Sequence, residues 1–412
     1  MTERDSDPLS IASRTGRRRW RPSPWMRVLL AVGPHWHVGS ITMVLPDGSM
    51  RRFQGTEPGP DARIVVHDDR MAKRMITGGT LGFCEAYLDG DWSSPDMMAL
   101  FEGALRNERA LGEHLYGKPW FRLVQWALHH RRRPNTKSGS RKNIAYHYDL
   151  GNDFYARWLD GTMTYSSAIY AGGTSDLSEA QEAKYAALCR RLRLEPGMRV
   201  LEIGCGWGGF AEHAARHHGV RVTGLTISAE QHAYATERIA KAGLAEQVEI
   251  RMQDYRDVDG RFDRVASIEM FEAVGEKYWG TFFDTVRDRL EAGGRAALQV
   301  ITIADRYFES YRRSADYIQK YIFPGGMLPS PTALRTAATG AGLGVEEMEG
   351  YARDYSRTLQ EWNRRFQASW PDIAALGFDE RFKRMWEQYL IYCAAGFETD
   401  CIDVVQVSLT KG

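Results

Sequence analysis

The chain has 412 residues, 43% apolar and 26% charged. That is length enough for two domains with sizeable cores, and too apolar for wholesale disorder. A formal charge of +1, from 54 basic against 53 acidic residues, excludes the globally basic coat that nucleic acid attracts, so no nucleic-acid partner is expected. No apolar run approaches the roughly 18 residues of a membrane span, and the amino terminus lacks the apolar core of a secretory signal. Cys84, Cys189, Cys205, Cys393 and Cys401 are scattered without metal-ligand spacing, which suits free thiols in a reducing cytoplasm.

Residues 1–27 carry seven arginines and little apolar periodicity, and read as a basic flexible arm. A small α+β domain is expected over 28–116. In it Val38–Leu45 and Ser49–Gln54 form a hairpin around Pro46-Asp47-Gly48, Arg63–Val66 is a third strand, and Asp69–Thr77 and Ser94–Leu105 have helical spacing. Residues 117–142 form a basic amphipathic linker. From Gly117 to Tyr148 no acidic residue occurs, and Trp120, Phe121 and Trp126 precede the run His129–Arg133. Two readings stay open for it: an interfacial helix lying among lipid headgroups, or a core helix followed by a solvated linker.

Beyond about residue 190, strands alternate with helices, the pattern of a parallel sheet with crossover helices. Strands are expected at Arg199–Ile203, Val220–Leu225, Val248–Met252, Phe262–Ile268 and Arg295–Ile301, with helices at Phe210–His217, Ala229–Ala242 and Tyr278–Leu290. The first strand runs into Gly204-Cys205-Gly206-Trp207-Gly208-Gly209, a tight turn that brings helix amides close to a ligand. A dinucleotide site would want an acid at the end of the second strand; here that strand ends Gly224-Leu225-Thr226-Ile227-Ser228. Glu202 instead stands just ahead of the glycines, where a carboxylate can neutralise a cationic ligand such as S-adenosylmethionine. Asp254 and Tyr255, after the third strand, could hydrogen-bond and stack an adenine. The adjacent histidine pairs 129/130 and 217/218 do not converge as ligands on one helix face, so no metal is expected.

Tyr146-His147-Tyr148-Asp149-Leu150-Gly151-Asn152-Asp153-Phe154-Tyr155 and Thr162-Met163-Thr164-Tyr165-Ser166 resemble the cyclopropane-fatty-acyl-phospholipid synthases and the mycolic acid cyclopropane synthases and methyltransferases. The likeness continues through the glycine loop, Met270–Gly275, Tyr321–Gly326 and Arg381–Met385, and covers roughly residues 38–412. It implies an α/β class I methyltransferase fold, Rossmann-like with a mostly parallel sheet, over 143–412, beside the smaller N-terminal α+β domain for lipid contact or dimerisation. It implies S-adenosylmethionine as cofactor, contacted by Tyr165, Ser166, Gly204, Gly206, Thr226, Gln231 and Tyr255. A helical insertion near 305–330, bearing Tyr307, Phe308, Tyr311, Tyr317, Tyr321 and Phe323, would roof an acyl channel. The implied substrates are unsaturated acyl chains of membrane phospholipid, met by a cytoplasmic enzyme peripherally bound at the inner face of the membrane; a homodimer is open to it.

Methyl transfer to an isolated alkene leaves a carbocation that needs π faces or negative charge, then a base. The resemblance places Glu272 and Tyr355 near that centre. It also implies a bound bicarbonate as base, held by a Cys, a Glu, a His, an Ile backbone and a Tyr. Glu272, Ile301 and Tyr355 are kept, whereas Ser167 stands at the Cys position and Gln299 at the His position. Ser and Gln still hydrogen-bond an oxyanion, but the change to Gln removes a titratable group. The cation therefore has several open exits: cyclopropane closure, proton loss to a methylene-branched or methyl-substituted alkene, or hydride addition. Rival readings are a catalytically silent lipid-binding paralogue and a methyltransferase for another small apolar substrate.

Overall fold

The computed structural model describes residues 20–111, 150–313 and 316–412. The expected linker over 117–142, the Tyr146–Asp149 part of the motif, and most of the arm lie outside the described residues. The helix Pro24–Val32, capped by the Ser23 side chain, begins within the stretch assigned to the arm.

The first domain is a four-stranded sheet in the order β2-β1-β3-β4, with β1 Val38–Val44, β2 Met50–Gln54, β3 Glu57–Val66 and β4 Trp92–Ser93. The Pro-Asp-Gly turn closes the β1–β2 hairpin, with Asp47 accepting from the Ser49 amide at 2.9 Å. β3 then lies parallel to β1 on its other side. The helix expected over Asp69–Thr77 runs on past Thr77, kinked at its glycines. One helix runs Arg70–Leu88, with Gly79 at φ 59° and ψ −144°, a conformation open to glycine because it has no Cβ. Trp92, fully buried, stacks on Phe83 at 4.3 Å. The core here also takes in Ile391 and Ala395 from the carboxyl-terminal helix Glu380–Glu398, so the two domains share apolar packing.

The second sheet has seven strands in the order β10-β11-β9-β8-β5-β6-β7. β5 Arg199–Ile203, β6 Arg221–Thr226, β7 Val248–Met252, β8 Phe262–Ile268 and β9 Leu290–Ile303 are parallel to one another. β11 Ile402–Lys411 runs antiparallel between β9 and β10 Leu343–Gly350. Alternation along β5 sends Val200 to one face, against helices Leu177–Leu192 and Gly209–His218. Leu201 and Ile203 go to the other, against Trp279–Arg289 and Pro331–Gly340. A side-chain period of two buries both faces in this way. β10 and β11 were not expected from the sequence.

Candidate active site

A cavity of about 500 Å³ opens at the carboxyl ends of β5, β6 and β8. It runs from the glycine loop past Glu272 and Tyr355 to Leu105 and Glu108 of the first domain. All nine expected cofactor residues line it: Tyr165, Ser166, Glu202, Gly204, Gly206, Thr226, Gln231, Asp254 and Tyr255. The loop is tied to β6 by amides of Gly204 and Cys205 donating to the Leu225 carbonyl at 3.0 and 2.8 Å. Gly206, at φ +52°, would direct a Cβ into open space, which leaves room for a ligand to approach the backbone.

Glu202 is buried, and its Oε2 has no hydrogen-bond partner among the described residues. Burial pushes its carboxyl up to about 8, against the opposing pull of Lys184 and Arg238. An orphaned carboxylate facing the cavity is what a cationic ligand would satisfy, so the residues fit S-adenosylmethionine. The Thr226 hydroxyl donates to Gln231 at 2.9 Å. Asp254 accepts both guanidinium bonds from Arg256, at 2.8 and 2.6 Å, so this acid is held by a neighbouring arginine beside the cavity.

The catalytic candidates divide. Glu272, Tyr355 and Ile301 line the cavity, whereas Ser167 and Gln299 stand behind its wall. The Ile301 amide donates to Glu272 Oε1. Burial pushes the Glu272 carboxyl up to about 8, reinforced by the neighbouring Glu269.

Glu269, immediately before the Met270–Gly275 motif, was missed by the sequence reading. It lines the cavity just beyond the end of β8. Its Oε1 accepts from the Ser167 amide at 2.7 Å and from Gln299 Nε2 at 2.8 Å. Its Oε2 accepts from the Tyr355 hydroxyl at 2.6 Å. Burial raises the Glu269 carboxyl, and these three donors together with Lys184 oppose the rise. Three residues expected around a bicarbonate are thus turned on a carboxylate of the chain. Glu269 holds φ at +49°, left-handed backbone that costs a non-glycine residue about 1–2 kcal/mol. Such a cost is most often kept where a side chain must be aimed. The available signal was an acid at the carboxyl end of a strand next to the one bearing the glycine loop.

The insertion's aromatics also divide. Tyr307, Tyr311 and Phe323 line the cavity. Tyr317 is buried and donates to the Met385 carbonyl at 2.9 Å, Tyr321 donates to Glu85 at 2.8 Å, and Phe308 packs beside Trp279. Among the histidines, His217 lies by His213, with ring centroids 4.6 Å apart. Glu182, already hydrogen-bonded to His213 Nδ1, brings ligand atoms of all three within 4.8 Å of one another.

A seven-stranded, mostly parallel sheet, a glycine loop at a helix start and an unpartnered carboxylate beside it together define a class I S-adenosylmethionine-dependent methyltransferase. Residues 135–407 match the family described as mycolic acid cyclopropane synthetase, and the chain belongs to that family. It is 36% identical over 383 residues to the tuberculostearic acid methyltransferase UfaA1 of Mycobacterium tuberculosis, covering 90% of this chain and 88% of that protein. It is 40% identical over 355 residues to the cyclopropane-fatty-acyl-phospholipid synthase of Escherichia coli K12, covering 85% and 88%. Among solved structures, the mycolic acid cyclopropane synthase CmaA1 complexed with SAH and CTAB superposes with a TM-score of 0.63 at 31% identity. That match covers 68% of this chain and 99% of the other.

Proposed function

We propose that this enzyme methylates a cis double bond of an unsaturated fatty acyl chain carried by membrane phospholipid, with Glu269 as the base that resolves the resulting cation. The observation that carries the reading is the setting of Glu269: a half-buried residue in the cavity wall whose carboxylate is oriented by three donors. The relatives named above act, by their names, on fatty acyl chains, and the cavity beyond Glu269 is lined by apolar and aromatic side chains such as Ile303, Phe323 and Phe397.

S-adenosylmethionine, when bound, supplies a methyl group to the double bond and leaves positive charge on the acyl chain. Glu202 holds the cationic cofactor, and the glycine loop admits it. The rings of Tyr165, Tyr355 and Tyr389, which line the cavity, stabilise the acyl cation. Glu269 then takes a proton from it. If that proton leaves the transferred methyl, the C–H electron pair closes a cyclopropane ring. If it leaves a neighbouring chain carbon, the pair forms a new double bond in a branched chain. In this reading the chain's own carboxylate takes the place of bicarbonate, since Ser167, Gln299 and Tyr355 already serve Glu269.

The test is mass spectrometry of fatty acids from a host that expresses the protein and is fed methyl-deuterated methionine. Two retained deuteriums in a ring report closure; three on a branched, unsaturated chain report plain methylation; no labelled acyl product overturns the reading. Turnover in carbonate-free buffer is expected to match turnover with added bicarbonate. We further propose peripheral attachment at the inner face of the membrane. Co-flotation with anionic phospholipid vesicles supports that; a protein left wholly unbound at low salt refutes it.

A further inference from the structure

Lys184 lies fully buried on the helix Leu177–Leu192, behind the cavity wall. Burying an ammonium costs several kcal/mol even after relaxation, so its retention asks for a reason. Its Nζ donates to Ser166 Oγ at 2.7 Å, and three residues earlier Gln181 Nε2 donates to the Ser166 carbonyl at 3.0 Å. The two side chains share one helix face and clamp Ser166 between them. The next residue is Ser167, whose amide donates to Glu269. The bond to Ser166 joins Lys184 to a neutral hydroxyl, so the positive charge acts on its carboxylate neighbours through the field alone. Those neighbours are Glu269, Asp160, Glu202 and Glu182, and the ring of Tyr185 sits 4.3 Å below the ammonium.

We propose that Lys184 is a positioning residue for the base: its charge holds Glu269 ionised, and its clamp on Ser166 fixes the amide that orients that carboxylate. The proposal rests on Glu269 acting as the base. Glu269 faces Tyr355, Gln299, the Ser167 amide and Glu272 on its other sides. Burial opposes its ionisation, and the three donors and the Lys184 charge favour it. Burial pulls the Lys184 ammonium down to about 7, and the four carboxylates resist that fall. Base and lysine thus hold each other charged in a site that penalises either alone.

The experiment is kcat against pH for the full-length enzyme, Lys184→Met and Lys184→Gln, with vesicles of unsaturated phospholipid as substrate. Removing the charge is expected to move the ascending limb up by one unit or more, which lowers kcat about tenfold on the acid side of the limb and little on the alkaline plateau. Lys184→Gln removes the charge but keeps a polar donor, one bond shorter than the ammonium, and serves if Lys184→Met fails to fold. A limb that stays in place, whether activity falls uniformly or not at all, overturns the proposal. Glu269→Gln separates the two readings. If that variant keeps the wild-type limb, Glu269 is not the base. If it loses the limb while the lysine variants leave theirs unmoved, only the role of Lys184 falls.

Discussion

The Tyr355 hydroxyl donates to Glu269 Oε2 at 2.6 Å across 86 residues of chain, joining the end of β8 to the helix Ala352–Ala368. A short bond from a neutral donor to a buried carboxylate stabilises the charged form. Burial and the adjacent carboxylate hold the tyrosine proton on, well above its usual range. In this pair the tyrosine is thus the donor and the Glu269 carboxylate the acceptor. Glu269→Gln should lower kcat about 10²–10⁴-fold while the calorimetric affinity for S-adenosylmethionine stays within about threefold. Tyr355→Phe should cost about tenfold at pH 7, with part of the loss recovered as pH rises, because removing the donor raises the Glu269 carboxyl. Single-turnover rates between pH 6 and 9 check both.

Glu272 should prove the less sensitive acid. With its carboxyl pushed up to about 8 by burial, it is largely protonated at pH 7 and resembles a glutamine in charge and shape. The Ile301 amide, which it accepts, would find the same carbonyl oxygen in Glu272→Gln. That variant is expected to lose less than about tenfold at pH 7, far less than Glu269→Gln. Equal losses in the two variants would place the base on Glu272.

Cofactor binding should release a proton. Free Glu202, pushed up to about 8 by burial, is mostly neutral at pH 7, and a cationic ligand favours its ionised form. Affinity should therefore rise with pH toward about 8 and level off above it, because binding favours the deprotonated acid. Calorimetry at pH 7 in two buffers of different ionisation enthalpy should show the release of up to about one proton. Glu202→Gln should abolish it and weaken binding about tenfold or more. Unchanged proton release in that variant would move the effect to another group.

The first domain should stabilise the insertion whose residues line the cavity. Glu85 accepts from Tyr321 at 2.8 Å and pairs with Lys320, both on or beside the insertion. The lysine partner is half exposed, so its ion pair contributes little. Glu85→Ala should cost about 1 kcal/mol in denaturant unfolding, chiefly through the lost tyrosine bond. It should raise KM for the lipid more than it lowers kcat. An unchanged KM would detach this contact from substrate binding.

Local pattern carried the sheet strands that bear the cofactor loop. β5, β7 and β8 have the bounds expected from their apolar runs and flanking turns, because strand propensity and burial on both faces act over a few neighbouring residues. The nine cofactor positions around the loop were equally legible, and all of them line the cavity. β10 and β11 were not legible. Each strand satisfies its backbone only against a partner far along the chain, with β11 pairing to β9 across about a hundred residues, and no local period announces such a partner.

The family, the cofactor and the places of the parallel strands along the chain were legible in the sequence itself, since each depends on contiguous motifs. The base we propose came into view only with the tertiary structure. In the sequence, Ser167 and Gln299 are substitutions that could still hydrogen-bond a bound anion, because a sequence shows which residues departed and not where their donors point. Only the fold brings residues 167, 299 and 355 onto the carboxylate of Glu269. The reason is physical: a hydrogen bond is fixed by distance and angle in space, while the four residues that meet here are scattered over nearly two hundred positions of chain.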